Sequence, residues 1–132
     1  MCTWFHAEYK PLSNFIDKAR QLPLADKIGN AMSKSKFMSG NIGPTDMAAV
    51  LAPNKLGNMA VFPMIWGFTN ESLSKPVINC RIESADTKPL WKDSWYRRRC
   101  VIPASWYFEW GVPPSEGEFY HKNEHYKIWI SP

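Results

Sequence analysis

Apolar residues recur along the first part of the chain with helical spacing. One helical face is apolar at four positions, namely Phe15, Ile16, Ala19 and Leu22. This spacing predicts a helix that Ser13 caps and Pro23 stops. Residues 25–40 are polar and rich in Ser and Lys, which predicts a loop, and residues 41–46 are typical of a turn.

Further apolar runs predict strands at residues 47–51, 58–68, 77–82 and 100–110. Pro63 inside the second run indicates a bulge or an edge strand, since proline donates no hydrogen bond to a neighbour. Two more strands, at 119–121 and 126–130, predict a terminal hairpin.

Residues 2–5 are expected to be extended, and residues 88–96 to form a short helix, because Leu90, Trp91 and Trp95 are spaced for one face. The predicted fold class is α+β. Its strands are mostly antiparallel, and they form a twisted sheet or a partly open barrel with a few short helices.

Composition predicts a single domain over residues 1–132, with 45% apolar and 14% aromatic residues available for a core. The seven tryptophans fill that core or line a groove for flat ligands such as bases. A net charge of +4 permits binding to phosphate polyanions without requiring it. The row of Arg97, Arg98 and Arg99 is either part of such a groove or a solvated face.

Three cysteines without CxxC or Cys/His spacing predict no structural zinc or other metal and no disulfide framework. Nothing in the sequence indicates a cofactor. The first twelve residues are too polar for a signal peptide, and no apolar run has membrane length. We therefore expect a cytoplasmic protein that makes no contact with a membrane. Cys80 and Cys100 are interpreted as core residues.

Polar residues stand where buried strands would not favour them. In a strand, Asn79, Arg81 and Glu83 share one face. Glu109 lies inside an aromatic run, where a carboxylate is exposed, paired or held in a dry pocket for chemistry. Cys2 directly follows the initiator methionine. Taken alone, Asn79 is typical of a β-bulge or a turn, and Glu109 is typical of a strand-end carboxylate paired with one of the three arginines.

Seven short motifs occur in one order along the chain, and together they resemble the SRAP family, the SOS-response-associated peptidase fold that shields abasic DNA. They are Met1-Cys2, Asn41-Ile42-Gly43-Pro44, Trp66-Gly67, Asn79-Cys80-Arg81-Ile82-Glu83, Lys88-Pro89, Arg99-Cys100-Val101-Ile102-Pro103-Ala104 and Glu109-Trp110.

The resemblance implies a covalent cross-link to abasic sites in single-stranded DNA. Removal of Met1 would leave Cys2 with a free α-amine beside its thiol, and an aldehyde closes such an aminothiol into a thiazolidine. By resemblance, Cys2 is the nucleophile, Asn79 hydrogen-bonds the terminal residue or the opened sugar, and Glu109 moves protons. The family's peptidase label would then describe autocatalytic removal of Met1.

The resemblance also implies DNA contacts. Arg81 would hold a flanking phosphate, and Pro44 and Trp110 would wedge against or stack on bases. The family often has Gly-Arg after the cysteine, where this chain has Thr3 and Trp4. Trp4 could stack on a base in place of the missing arginine.

Family members usually continue with more strands and a catalytic histidine in a His-Asp-Arg-Met-Pro segment. His6, His121 and His125 lie in other contexts, so the sequence predicts a C-terminally short domain. A natural short form, a truncated chain and completion by a partner all remain open. Two other functions also stay open: a non-covalent module for single-stranded DNA and a thiol peptidase, although no histidine base is apparent for the latter.

Overall fold

The computed structural model describes residues 3–34, 37–69, 71–111 and 126–130, with backbone alone for 109–111 and 126–130. Its elements are β1 (Trp4–Ala7), α1 (Tyr9–Arg20), α2 (Pro23–Met32), β2 (Gly40–Ile42), β3 (Met47–Pro53), β4 (Met59–Ile65), α3 (Ile82–Ala85), α4 (Pro89–Arg97), β5 (Trp106–Gly111) and β6 (Tyr126–Ile130). The mixture of helices and antiparallel strands confirms the α+β class.

The strands form two antiparallel sheets. One has the order β2-β1-β5-β6, and the other is the β3–β4 hairpin. A backbone bridge between Leu51 and Val101 joins the end of the hairpin to the segment that leads into β5. In the part of the chain that is described, these sheets do not close into a barrel.

β3 is the centre of the core because it is buried on both faces. Met47 and Ala49 contact the helical layer, in which Ile16 and Ala19 of α1 are almost fully buried. Ala48 and Val50 point the other way, toward a cluster that contains Phe5 and Ala7 of β1 and Ile42 of β2. The period-two alternation of a strand therefore places β3 between the helices and the sheet around β1.

The helices differ in part from their sequence predictions. α1 begins at Tyr9, earlier than the expected cap at Ser13, and ends at Arg20. The loop expected over 25–40 is wrong in its first part, because α2 occupies Pro23–Met32. Pro23 does stop α1, but it also starts α2, since a proline in the first helical turn loses no hydrogen bond. α4 agrees with the helix expected at 88–96.

The strands also agree only in part with their sequence predictions. β1, β3 and β4 lie where extended runs were predicted. β2 occupies the start of the expected turn at 41–46. Pro63 lies in the edge strand β4 with unbroken register, opposite Ala49, so the edge interpretation holds and the bulge does not.

The strand expected at 77–82 is wrong. Val77 alone bridges to Phe68, and α3 begins at Ile82. Of the strand expected at 100–110, Trp106 onward belongs to β5. β6 confirms a strand at 126–130, and its partner is β5; residues 119–121, the expected first strand of the hairpin, are outside the described residues.

Candidate functional site

β1 leads from the amino terminus into the centre of the larger sheet. On one side, Phe5 pairs with Ile42 of β2, and on the other it pairs with Tyr107 of β5. Phe5 and Ala7 are buried, whereas Trp4 and His6 alternate with them and share the opposite face. Trp4, a predicted DNA contact, lies on this face together with the buried Phe108 with which it pairs.

Trp4 and Pro44, which were both predicted to contact DNA, are brought together. The Trp4 ring lies directly on Gly43, so close that a Cβ at Gly43 would be 2.6–2.7 Å from three ring carbons. A side chain there would require the Trp4 ring to shift, and Pro44 is the next residue. Trp4 is 38% exposed. The turn that carries Pro44 thus lies against Trp4 at the start of β1.

The turn that carries Pro44 is fixed by its own hydrogen bonds. Asp46 accepts from the Gly43 N–H at 2.9 Å and lies 3.5 Å from the Lys34 ammonium. Thr45 has a φ of 71°, in the left-handed region. The carboxylate of Asp46 stabilises this conformation, because it satisfies a backbone donor inside the turn.

Trp66 connects three segments around the start of the chain. Its indole N–H donates to the carbonyl of Thr3 at 3.1 Å, and its ring meets Phe5 edge-on at 5.5 Å. Its backbone exchanges hydrogen bonds of 2.8 Å with Thr45 and Asp46. The Trp66-Gly67 motif therefore holds the residue that follows Cys2 beside the Pro44 turn.

The second residue of the Trp66-Gly67 motif lies close to the segment that carries Asn79. Gly67 has a φ of 99°, and a Cβ there would be 3.0 Å from the side chain of Ile78. Phe68 and Val77 exchange two backbone hydrogen bonds just beyond it. The half-buried Asn79 follows this bridge without belonging to a strand.

Arg81 is exposed, at the N-cap of α3, and Glu83 lies within α3. The shared strand face expected for Asn79, Arg81 and Glu83 is therefore wrong, because the backbone turns into a helix between the second and third of these residues.

Three predicted site residues lie wholly or partly outside the described residues. Cys2 is one of them. Glu109 and Trp110 belong to β5 by their backbone, opposite Ile128 and Lys127 of β6, and their side chains are outside the description. Trp4 pairs with Phe108, so β1 starts beside the residue that precedes Glu109. The catalytic roles of Cys2, Asn79 and Glu109 stay predictions.

His6 and Trp106 were not predicted from the sequence. Their rings are stacked, with centroids 4.5 Å apart and an interplanar angle of 10°. His6 Nδ1 also lies 2.7 Å from the amide oxygen of Asn41 on β2. The alternation of Trp4 and His6 in β1 was the available signal, but only the pairing of β1 with β5 brings Trp106 alongside.

The row of arginines makes local contacts around α4. Arg98 pairs with Asp93 at 2.8 Å, Arg97 approaches the same carboxylate at 4.0 Å, and Arg99 stacks on the Trp95 ring at 4.3 Å. All three arginines are exposed. These contacts favour the interpretation as a solvated face over that as a DNA groove.

The core interpretation of Cys80 and Cys100 is wrong, since Cys80 is half-buried and Cys100 is exposed. Cys100 is at the edge of an apolar pocket of about 240 Å³, which Trp66, Phe68 and Ile78 also line. Desolvation there raises the pKa of the Cys100 thiol. This thiol is therefore accessible without being activated.

The described part of the chain shows neither a metal-ligating cluster nor a membrane-spanning helix. No cluster of three or more His, Cys, Asp or Glu side chains that could ligate a metal occurs among these residues. Likewise, none of the helices described is both long and apolar enough to span a membrane.

A match to a family model shows to which family the chain belongs. The model of SOS response associated peptidase (SRAP) matches residues 1–129. The chain belongs to the SRAP family. This SRAP chain has no significant match among curated proteins or among solved structures. The motifs that carry the family resemblance include Asn41 to Pro44 and Trp66-Gly67, the two elements that surround Trp4 and Thr3.

Proposed function

We propose that this SRAP protein senses abasic sites in single-stranded DNA and bonds to them covalently through Cys2. The supporting observation is the double anchoring of the segment next to Cys2. Trp4 pairs with Phe108, which precedes Glu109, and Trp66 donates to the carbonyl of Thr3, while Gly67 contacts Ile78, which precedes Asn79. The neighbours of all three predicted catalytic residues thus belong to one contact network.

The reaction needs no oxidant or reductant. The α-amine of Cys2 adds to the aldehyde carbon of the ring-opened sugar, and the resulting carbinolamine loses one water to form an imine. The thiol then adds across the imine, its sulfur bonding to carbon and its proton ending on nitrogen. In this scheme Glu109 protonates the departing hydroxyl and takes the proton back, which is general acid–base catalysis.

The proposed DNA surface is the Trp4 and Pro44 region at the start of β1. Trp4 is 38% exposed and would stack on a base, and its ring rests on Gly43, which precedes Pro44 in a turn that Asp46 stabilises. The net charge of +4 favours association with a polyanion.

The test is a denaturing gel of the protein incubated with an oligonucleotide that carries an abasic site. Wild type is expected to give a heat-stable shifted band. Cys2→Ala should abolish it, since alanine keeps the terminal amine but cannot close the ring. Cys100→Ala is the matched control and should keep the band. Intact mass of the free protein checks that Met1 has been removed.

Glu109→Gln should slow the cross-link by about 100-fold or more, because positioned acid–base groups contribute about 10²–10⁴-fold. Glu83→Gln in α3 is its matched control and should react like wild type. A band that survives in Cys2→Ala would contradict the proposal. Salt-sensitive retention of DNA by every variant, without any heat-stable band, would indicate a non-covalent binding module instead.

A further inference from the structure

A groove of about 790 Å³ lies between the first helical segment and the β3–β4 hairpin. One wall includes Phe15, Lys18 and Leu22, and the other consists of Met59, Ala60 and Val61 of β4. Successive side chains of a strand point to opposite faces, so three consecutive residues line a groove only where the backbone of the strand borders it. The groove is therefore bounded by the edge of β4 as well as by side chains.

The outer edge of β4 presents unpaired backbone groups beside this groove. Leu51 exchanges two backbone hydrogen bonds of 2.8 Å with Val101, so its N–H and C=O point away from β4. In an antiparallel pair, the residue directly opposite also points its groups outward, and this recurs at every second position. The N–H and C=O of Val61, opposite Leu51, and of Met59 therefore point away from β3. Among the described strands, β4 pairs with β3 alone.

Pro63 limits how far this edge can be used. It belongs to the same outward-facing set as Met59 and Val61, but it has no N–H, and its side chain is fully buried. Met59 is 55% exposed and Val61 is half-buried. The accessible edge is thus short, and its donors and acceptors have the spacing of an extended backbone.

The side chains of the groove indicate what such a backbone would carry. Phe15, Leu22 and Val61 are half-buried and form an apolar surface. Lys18 lies exposed on the rim and makes no ion pair within the described residues. No acidic side chain lines the groove. The cation therefore favours an acidic residue in whatever binds there.

We propose that the groove binds an extended peptide segment of a partner protein, which adds as a strand to Met59 and Val61. An apolar side chain of the peptide packs on Phe15 and Leu22, and an acidic side chain pairs with Lys18. A peptide backbone suits this edge because it supplies donors and acceptors alternately, whereas the phosphates of DNA supply acceptors only.

The groove is at the end of β4 that is remote from the proposed DNA surface. Ile65 directly precedes Trp66, which bonds to the turn that carries Pro44, and β4 runs for seven residues from Met59 to Ile65. At about 3.3–3.4 Å per residue, its two ends are about 20 Å apart. The partner therefore binds independently of the abasic-site reaction, and either proposal can fail without the other.

The experiment measures the Kd of fluorescein-labelled peptides by fluorescence anisotropy. Each is a short peptide of alternating Thr and Val, which favour extended backbone, between Gly-Ser ends. Glu, Gln or Lys replaces each residue in turn, and in the tightest-binding peptide each amide is then methylated in turn. Wild type is compared with Lys18→Glu and with the matched control Lys27→Glu, the same charge change at an exposed position of α2.

We expect Glu at one peptide position to bind more tightly than Gln by about 1.5- to 5-fold, the effect of one exposed ion pair, and Lys to bind more weakly still. Lys18→Glu should reverse this order, and Lys27→Glu should retain it. Methylation should weaken binding by about 2- to 13-fold at alternate amides only, because every second residue of an added strand bonds to β4. A purely apolar contact would not produce this alternation.

Thermal unfolding verifies that both variants are folded, and the methylation series on wild type needs neither of them. Absence of binding for every peptide at about 1 mM, or equal losses at every methylated amide, would overturn strand addition. Equal effects of Lys18→Glu and Lys27→Glu would overturn the assignment to this groove. Analytical ultracentrifugation tests a second copy of the chain as occupant: a dimer that the tightest-binding peptide dissociates would overturn the partner protein in favour of self-association.

Discussion

The β3–β4 hairpin and the sheet around β1 are both antiparallel, but they are held in different ways. The hairpin pairs over seven consecutive positions, from Met47 with Ile65 to Pro53 with Met59. β1 makes three pairs with each neighbour, and its partners β2 and β5 come from distant parts of the sequence. β3 is buried on both faces, whereas in β1 the buried Phe5 and Ala7 alternate with Trp4, which is 38% exposed, and with the half-buried His6.

The main stabilising contacts and the proposed function lie in different parts of the molecule. The hairpin is local in sequence and carries the core against α1. The sheet around β1 depends on a few long-range contacts, and in return it presents Trp4, His6 and Trp106 on one surface. Changes in the hairpin should therefore unfold the protein, and changes around β1 should alter DNA binding at a smaller cost in stability.

The largest effect is expected from Ile16→Ala. Ile16 is 1% exposed and packs α1 against the hairpin, so its truncation should lower the free energy of unfolding by about 2–5 kcal/mol. Urea denaturation measures the loss. Ile82→Ala makes the same chemical change at a residue that is 68% exposed, and it should cost about 0.5 kcal/mol or less. Equal costs would refute the assignment of the core.

Gly43→Ala should have the next largest effect, because the new methyl group collides with the Trp4 ring. We expect a loss of about 1–3 kcal/mol in the free energy of unfolding, together with weaker DNA binding. The double variant Gly43→Ala/Trp4→Ala removes the ring and should recover stability but not binding. If the double variant is no more stable than Gly43→Ala, the clash is not the cause.

Trp66→Phe should have a smaller effect on stability but a clear effect on the site. It removes the indole N–H that donates to Thr3, while a ring remains near Phe5. A hydrogen bond contributes about 0.5–1.5 kcal/mol, so chemical denaturation should detect a loss of that order beyond any packing change. The rate of cross-linking to abasic DNA should fall more than it does in the control variant Tyr96→Leu, which changes an exposed aromatic residue of α4. Unchanged rates would show that Thr3 needs no such anchor.

The smallest expected effect is on the alkylation rate of Cys100, a residue that takes no part in the proposed reaction. Because burial raises the pKa of its thiol, less thiolate is present at a given pH than in a free thiol, and alkylation should be slower. The rate should rise as pH increases toward that pKa. Mass spectrometry of iodoacetamide-treated protein measures it, with glutathione as reference. Alkylation faster than that of glutathione near neutral pH would contradict the desolvated environment.

Local patterns predicted much of the fold. The spacing of Phe15, Ile16 and Ala19 predicted α1, and the apolar runs predicted β3 and β4. α2 was missed because three polar residues interrupt its apolar stripe, because a Ser- and Lys-rich stretch follows it, and because Pro23 signals an end as well as a beginning. The alternation at Asn79 and Arg81 suggested a strand, but period-two polarity over so few residues does not separate strands from loops.

The candidate site was predictable only where motifs carry it. Pro44 and Trp4 could be proposed one by one, but the approach of the Trp4 ring to the residue before Pro44 depends on Gly43, whose role is visible only in the fold. The stacking of His6 and Trp106 requires knowledge that β1 pairs with β5. Strand order over such sequence distances is set by the whole core, and no short pattern encodes it.

The pairing of β1 with β5 also bears on the order of events during synthesis. β1 is translated first, and β5 follows about 100 residues later, which takes about 5–20 s at ordinary rates of translation. Until then, one edge of β1 has no strand to bind, while the β3–β4 hairpin can already fold. A nascent chain can therefore bury the α1 side of β3 before β1 is fixed between its two partner strands.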